Sequence, residues 1–172
     1  MKVLINEDQI KEAVVRLGKE ISADHTNEDR LLLVPILKGA FIFAADLVRE
    51  ITKDVEVDFV RSSSYVGRES TGKVQTSIYI STDVKNKTII LVEDIVETGL
   101  TLEHLRKLFL SNGARDVKIC ALLDKPMKRK IDVDVEYVGI EIPDEFVVGY
   151  GLDYDGKYRN LKDICILEDS EK

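Results

Sequence analysis

The stretch Glu93–Thr101 (EDIVETGLT) holds the densest chemistry in this 172-residue chain. Two adjacent carboxylates, Glu93 and Asp94, close the apolar run Thr88–Val92. The end of a buried strand is a poor place for paired negative charge unless something cationic compensates it. Ile95, Val96 and a third acid, Glu97, come next, and then Thr98, Gly99, Leu100 and Thr101. Glycine lets the backbone turn tightly. Threonine hydroxyls and the first amides of a helix, backed by its positive end, make a cradle for phosphate. Glu97 would repel that anion unless its side chain is aimed elsewhere, which makes it a candidate for catalysis. The same residues also fit a solvated strand end and a helix capped by Thr98. Walker-type and dinucleotide-binding glycine loops are excluded, because neither G-x-x-x-x-G-K-[ST] nor G-x-G-x-x-G occurs.

Two other apolar runs end in loaded turns, Leu37-Lys38-Gly39 and Asp124-Lys125. In open parallel sheets ligands gather at the carboxyl ends of strands, so three such turns define one expected site. Taken singly, Lys38-Gly39 and Lys125 also read as plain strand ends, and Lys128, Arg129 and Lys130 as solvated charge.

The elements that must position these turns follow from periodicity. Apolar residues at 10, 13, 14, 17 and 21 predict a helix over Asn6–Ile21, with Asn6 or Asp8 as its cap. Continuous apolar runs predict strands buried on both faces at Arg30–Leu37, Thr88–Val92 and Val117–Leu123. Helical spacing returns over Ala40–Ile51 and Thr98–Leu110, the latter closed by Asn112-Gly113. Further strands are expected at Val55–Val60, Gln75–Ser81, Val135–Ile142, Phe146–Val148 and Ile164–Leu167. The polar, Ser- and Gly-rich segment at 61–76 predicts a long loop. Strands alternating with helices give an α/β fold with a mostly parallel central sheet flanked by helices, in one domain spanning 1–172.

Composition bounds the function. A net charge of −7 argues against non-specific nucleic-acid binding, while a local cluster of amides, lysines and metal can still hold a small anion. The polar N-terminus has no signal-peptide pattern, and the longest apolar runs are too short to span a bilayer. Cys120 and Cys165 lie inside apolar runs and read as buried free thiols. A cytoplasmic protein with no membrane partner is the expectation.

Ile90–Leu102 (ILVEDIVETGLTL) resembles the diphosphoribosyl-binding motif of type I phosphoribosyltransferases. The chain further resembles the hypoxanthine-guanine phosphoribosyltransferases along nearly its whole length. That resemblance implies the type I fold with a small hood formed by the termini, a purine-salvage activity and Mg²⁺ as cofactor. It implies phosphoribosyl pyrophosphate as donor, hypoxanthine or guanine as acceptor, and IMP or GMP plus pyrophosphate as products. Glu93 and Asp94 would hold the ribose hydroxyls and Mg²⁺, and Val96, Thr98, Gly99, Leu100 and Thr101 would bind the 5′-phosphate. Pro35–Ala40 resembles the pyrophosphate turn, with Leu37, Lys38 and Gly39 as its binding residues and a cis Leu37–Lys38 peptide, a rare geometry outside proline. Ser64 and Tyr65 resemble the Ser-Tyr pair of a mobile lid, which places an active-site loop at 61–76.

Over Glu141–Asp155 (EIPDEFVVGYGLDYD) the match is close. Phe146 would stack on the purine and the Val147 backbone would bond its edge. Asp153 would help organise a second Mg²⁺, and Arg159 would bind pyrophosphate. Lys125 would donate to the purine 6-oxo group; adenine would present a donor to a donor there. The family usually has Asp where this chain has Glu97, a carboxylate near purine N7 and a candidate general base. The extra methylene moves it by about 1 Å, a displacement large enough to matter. The resemblance also suggests a homodimer or homotetramer. A regulator on the same fold and a xanthine-preferring relative are the alternatives.

Overall fold

The computed structural model describes residues 1–61 and 80–168. The expected lid residues Ser64 and Tyr65, and all but the first residue of the 61–76 loop, lie outside them, as does most of the Gln75–Ser81 strand.

Among the described residues the chain runs β1 (Lys2–Ile5), α1 (Glu7–Asp24), β2 (Leu31–Leu37), α2 (Phe41–Glu50), β3 (Val55–Val57), β4 (Val60–Arg61) and β5 (Thr88–Val96). It continues through α3 (Leu100–Ser111), β6 (Asp116–Asp124), β7 (Tyr137–Glu141), β8 (Val147–Val148) and β9 (Ile164–Ile166). The central sheet has the order β3-β2-β5-β6-β7, with β4 also paired to β2, and every pairing in it is parallel. No helix among these residues is long and apolar enough to cross a membrane.

Parallel strands covered on both faces must be apolar at every position, because alternate side chains feed opposite layers. Leu31, Leu33, Ile90, Val92, Cys120 and Leu122 pack with α1 and α2. Leu32, Val34, Ile89, Leu91, Ile119 and Ala121 pack with Leu102, Leu105 and Phe109 of α3. The start of α1 is closed by a capping box in which Asn6 accepts from the Gln9 amide and Gln9 accepts from the Asn6 amide.

The hood is a three-stranded antiparallel sheet, β1-β9-β8. It joins the two ends of the chain, and its β1 is too short to announce itself by period. Two of the boundaries that move bear on the loaded turns. The strand carrying Glu93 and Asp94 continues to Val96 instead of stopping at Val92, because its pairing with β6 persists to Val96 opposite Asp124. Helix α3 begins at Leu100 with Gly99 as cap at φ +80°, a conformation suited to glycine, and not with Thr98.

The expected strand Val55–Val60 divides at Asp58. Its carboxylate accepts from the amides of Phe59, Ser81 and Thr82 and from the Ser81 hydroxyl, at 2.8–2.9 Å. Burial pushes the Asp58 pKa up, but these hydrogen bonds outweigh it and hold the group at about 2. A carboxyl depressed in the folded state stabilises above its unfolded pKa and loses that contribution as pH falls through its folded value. Asp58→Asn therefore costs about 1 kcal/mol at pH 6, allowing for partial exposure. The urea midpoints of the two proteins should converge between pH 4 and about 2; a constant gap would show that the charge is irrelevant.

Candidate active site

Strands β2, β5 and β6 are neighbours, and their carboxyl ends deliver the three loaded turns to one edge. At the first, the Leu37–Lys38 peptide is cis, as the resemblance led us to expect. Gly39 follows, and a Cβ there would fall on the carboxylate of Asp94. A Cβ on Gly151, at φ +103°, would fall on the Gly39 carbonyl. Two glycines thus let the turn after β2 meet the carboxylate of Asp94 on one side and the backbone of the hood-side loop at 149–153 on the other.

Arg159 tightens this meeting point. It donates to the Gly151 carbonyl at 2.6 Å and pairs with Asp153 at 2.6 Å. Its charge also reaches Asp94 and favours the ionised form. Asp153 additionally accepts from the Gly156 amide at 2.8 Å.

Glu93 and Asp94 are half-buried and adjacent, and they titrate as a pair. Burial first, and the neighbouring Asp94 charge second, push Glu93 well above the usual carboxylate range. Burial raises Asp94 as well, against the opposing pull of its hydrogen bonds and Arg159. Two acids that resist losing both protons describe a place where a divalent cation could take the proton's role. Among the described residues no three His, Cys, Asp or Glu gather round one point. That donor set suits a cation held by one or two carboxylates and completed by substrate and water, as Mg²⁺ prefers.

The second grouping lies at the start of α3. Lys125, only 5% exposed, gives its Nζ to Glu97 Oε1 at 2.8 Å. The Glu97 side chain is 47% exposed, so the pair has a buried cation and an accessible carboxylate. Glu97 is thereby aimed at Lys125. Thr98 Oγ1 lies 3.4 Å from the Leu100 amide, which it accepts weakly.

On the hood side, Phe146 is 42% exposed and stands edge-on to Tyr154, with ring centroids 5.7 Å apart. Val147 is buried in β8 opposite Ile166 of β9. Lys128 pairs with Asp144 at 2.9 Å and ties the turn after β6 to the approach to Phe146.

One reading from sequence is corrected. Arg129 is not solvated charge: it pairs with the buried Asp124 and donates to the Glu97 carbonyl. The available signal was Asp124 itself, an acid closing a buried strand and needing a cation nearby.

A family model described as a phosphoribosyl transferase domain matches residues 5–155. A hypoxanthine-guanine phosphoribosyltransferase of Aquifex aeolicus is 41% identical over 170 residues, covering 98% of this chain and 96% of the relative. The Bacillus subtilis hypoxanthine-guanine phosphoribosyltransferase is 44% identical over 168 residues, covering 97% and 93%. A crystal structure of a Bacillus anthracis hypoxanthine-guanine phosphoribosyltransferase, with a HEPES molecule in its active site, superposes at a TM-score of 0.91. It is 44% identical and the match covers 98% of this chain and 99% of that one.

Proposed function

The chain belongs to the phosphoribosyl transferase domain family, and on that premise we propose that it is a purine-salvage transferase. It moves the 5-phosphoribosyl group of phosphoribosyl pyrophosphate to hypoxanthine or guanine, releasing IMP or GMP and pyrophosphate. The observation that carries this reading is the pairing of buried Lys125 with the accessible Glu97 carboxylate beside a glycine-capped helix start. It supports reading Lys125 as the donor to a 6-oxo group and Glu97 as the acceptor of a purine proton, beside a helix start suited to phosphate.

The roles follow from chemistry and position. Val96, Thr98, Gly99, Leu100 and Thr101 hold the 5′-phosphate with amides and hydroxyls at the positive end of α3. Lys38, Gly39 and Leu37 of the cis turn receive pyrophosphate, with Arg159 opposite. Phe146, 42% exposed, would stack on the purine and the Val147 backbone would meet the base edge. Ser64 and Tyr65 would shield the centre from water. Glu93 and Asp94 would hold one Mg²⁺, and Asp153 would help organise a second. When bound, Mg²⁺ neutralises charge on the departing pyrophosphate.

Purine N9 attacks ribose C1 as the bond from C1 to pyrophosphate breaks, with inversion at that carbon. Positive charge grows on the ribose ring, and the nearby carboxylates stabilise it. Glu97 leaves Lys125 to take a proton from the purine, while Lys125 turns to the 6-oxo oxygen. The pair in the base-free protein is thus exchanged for two contacts to the base. A cytoplasmic homodimer or homotetramer belongs to this reading through the family resemblance, and no nucleic-acid or membrane partner is needed.

The test is direct. Incubation with phosphoribosyl pyrophosphate, Mg²⁺ and one base at a time should yield IMP from hypoxanthine and GMP from guanine. Both products should vanish with a chelator. No nucleotide from either base would sink the proposal.

A further inference from the structure

We propose that Arg129 is a positioning residue that shapes the 5′-phosphate cradle from behind and links it to the base-recognition turn; the inference rests on the phosphoribosyltransferase reading. Three successive carbonyls of the strand-to-helix loop are held by one short segment after β6. The Lys125 amide donates to the Val96 carbonyl at 2.9 Å, and the Lys130 amide donates to the Thr98 carbonyl at 3.1 Å. Between them, Arg129 Nη1 donates to the Glu97 carbonyl at 2.8 Å.

In a trans peptide the C=O and the following N–H point in opposite directions. Anchoring the carbonyls of Val96, Glu97 and Thr98 to this brace therefore turns the amides of Glu97, Thr98 and Gly99 away from it. Those amides belong to the loop that leads into α3. The central contact differs from its neighbours because a cation makes it. A charge-assisted bond to the Glu97 carbonyl polarises its peptide and strengthens the N–H of Thr98 as a donor.

Arg129 is itself fixed. Its Nη2 pairs with Asp124 Oδ1 at 2.5 Å, and the two side chains are only 19% and 9% exposed. Asp124 and Lys125 are consecutive, so the acid that orients Arg129 adjoins the lysine that binds Glu97. A Cβ on Gly99 would meet Val133 and Ile131, so the helix start packs closely against the residues that follow the brace. A guanidinium fork serves both partners at once, which a lysine ammonium on a flexible stem does less well.

The experiment separates phosphate binding from base binding. Dissociation constants for IMP and for inosine are measured by calorimetric titration on the wild type, Arg129→Met and Arg129→Lys. Wild type should bind IMP the more tightly. In Arg129→Met that preference should narrow about tenfold, through weaker IMP binding, on the scale of one lost charge-assisted hydrogen bond. Arg129→Lys should fall between the two. An unchanged IMP-to-inosine ratio, or equal weakening of both ligands, overturns the proposal, because a purely structural arginine would not single out the phosphate. Should Arg129→Met fail to fold, the Arg129→Lys ratio decides in the same way. A wild type without preference for IMP would instead overturn the phosphoribosyltransferase reading itself.

Discussion

Glu97→Gln is expected to fold normally and to lose about 10²–10⁴-fold in turnover, the usual cost of removing a general base. The side chain is half exposed, so the change removes no core packing. Glutamine keeps the length of glutamate and an oxygen that can still accept from Lys125, whose Nζ lies 2.8 Å from Glu97 Oε1. What it removes is the ability to take a proton. The loss should therefore fall on kcat, with KM for phosphoribosyl pyrophosphate little changed. Glu97→Asp asks a different question. It restores the acid that the family resemblance leads one to expect, but withdraws the carboxylate by about 1 Å from the position this loop has settled around. If Glu97→Gln retains near-full turnover, Glu97 is not the base and its contact with Lys125 is structural.

Gly39→Ala should lower kcat/KM for phosphoribosyl pyrophosphate by at least about 10²-fold, on the scale of a misplaced catalytic group. A single methyl at this position would occupy the space of the Asp94 carboxylate. The listening neighbour on the other side is no freer, because Gly151 already packs against the Gly39 carbonyl. Either the turn after β2 or the acid on β5 must move, and the proposed function assigns both to the donor site. Steady-state kinetics with varied phosphoribosyl pyrophosphate, beside a thermal melt to confirm folding, checks this. Wild-type kcat/KM in a folded Gly39→Ala would show that the turn and Asp94 need not touch.

The legible part of this protein is its local pattern. Runs such as Leu31–Leu37 had to be strands buried on both faces, since Leu31 and Leu33 feed one helix layer while Leu32 and Val34 feed the other. The acids, threonines and glycine of residues 93–101 carry their chemistry in their order, so a candidate anion site could be proposed there without coordinates. The start of α1 was legible as capped by Asn6 or Asp8, because capping is decided within four residues, and Asn6 is the cap.

Other features exist only once the chain is packed. Arg129 sits in a run of basic residues that looks solvated, and nothing local tells it from Lys128 or Lys130. It becomes a partly buried partner of Asp124 because β6 ends on that acid and Arg129 also reaches the Glu97 carbonyl. The collision that makes Gly39 necessary involves Asp94 on another strand, and the hood joins Lys2–Ile5 to Ile164–Ile166 across the whole chain. Likewise Glu93 and Asp94 lie inside β5, because pairing with β6 extends the strand past the point where its apolar run stops. Residue type and spacing determine what a segment can do on its own, because hydrogen bonding within a turn and burial along a strand are short-range. Which charges meet, and which atoms leave room for one another, depends on contacts between distant segments, and only the tertiary structure decides those.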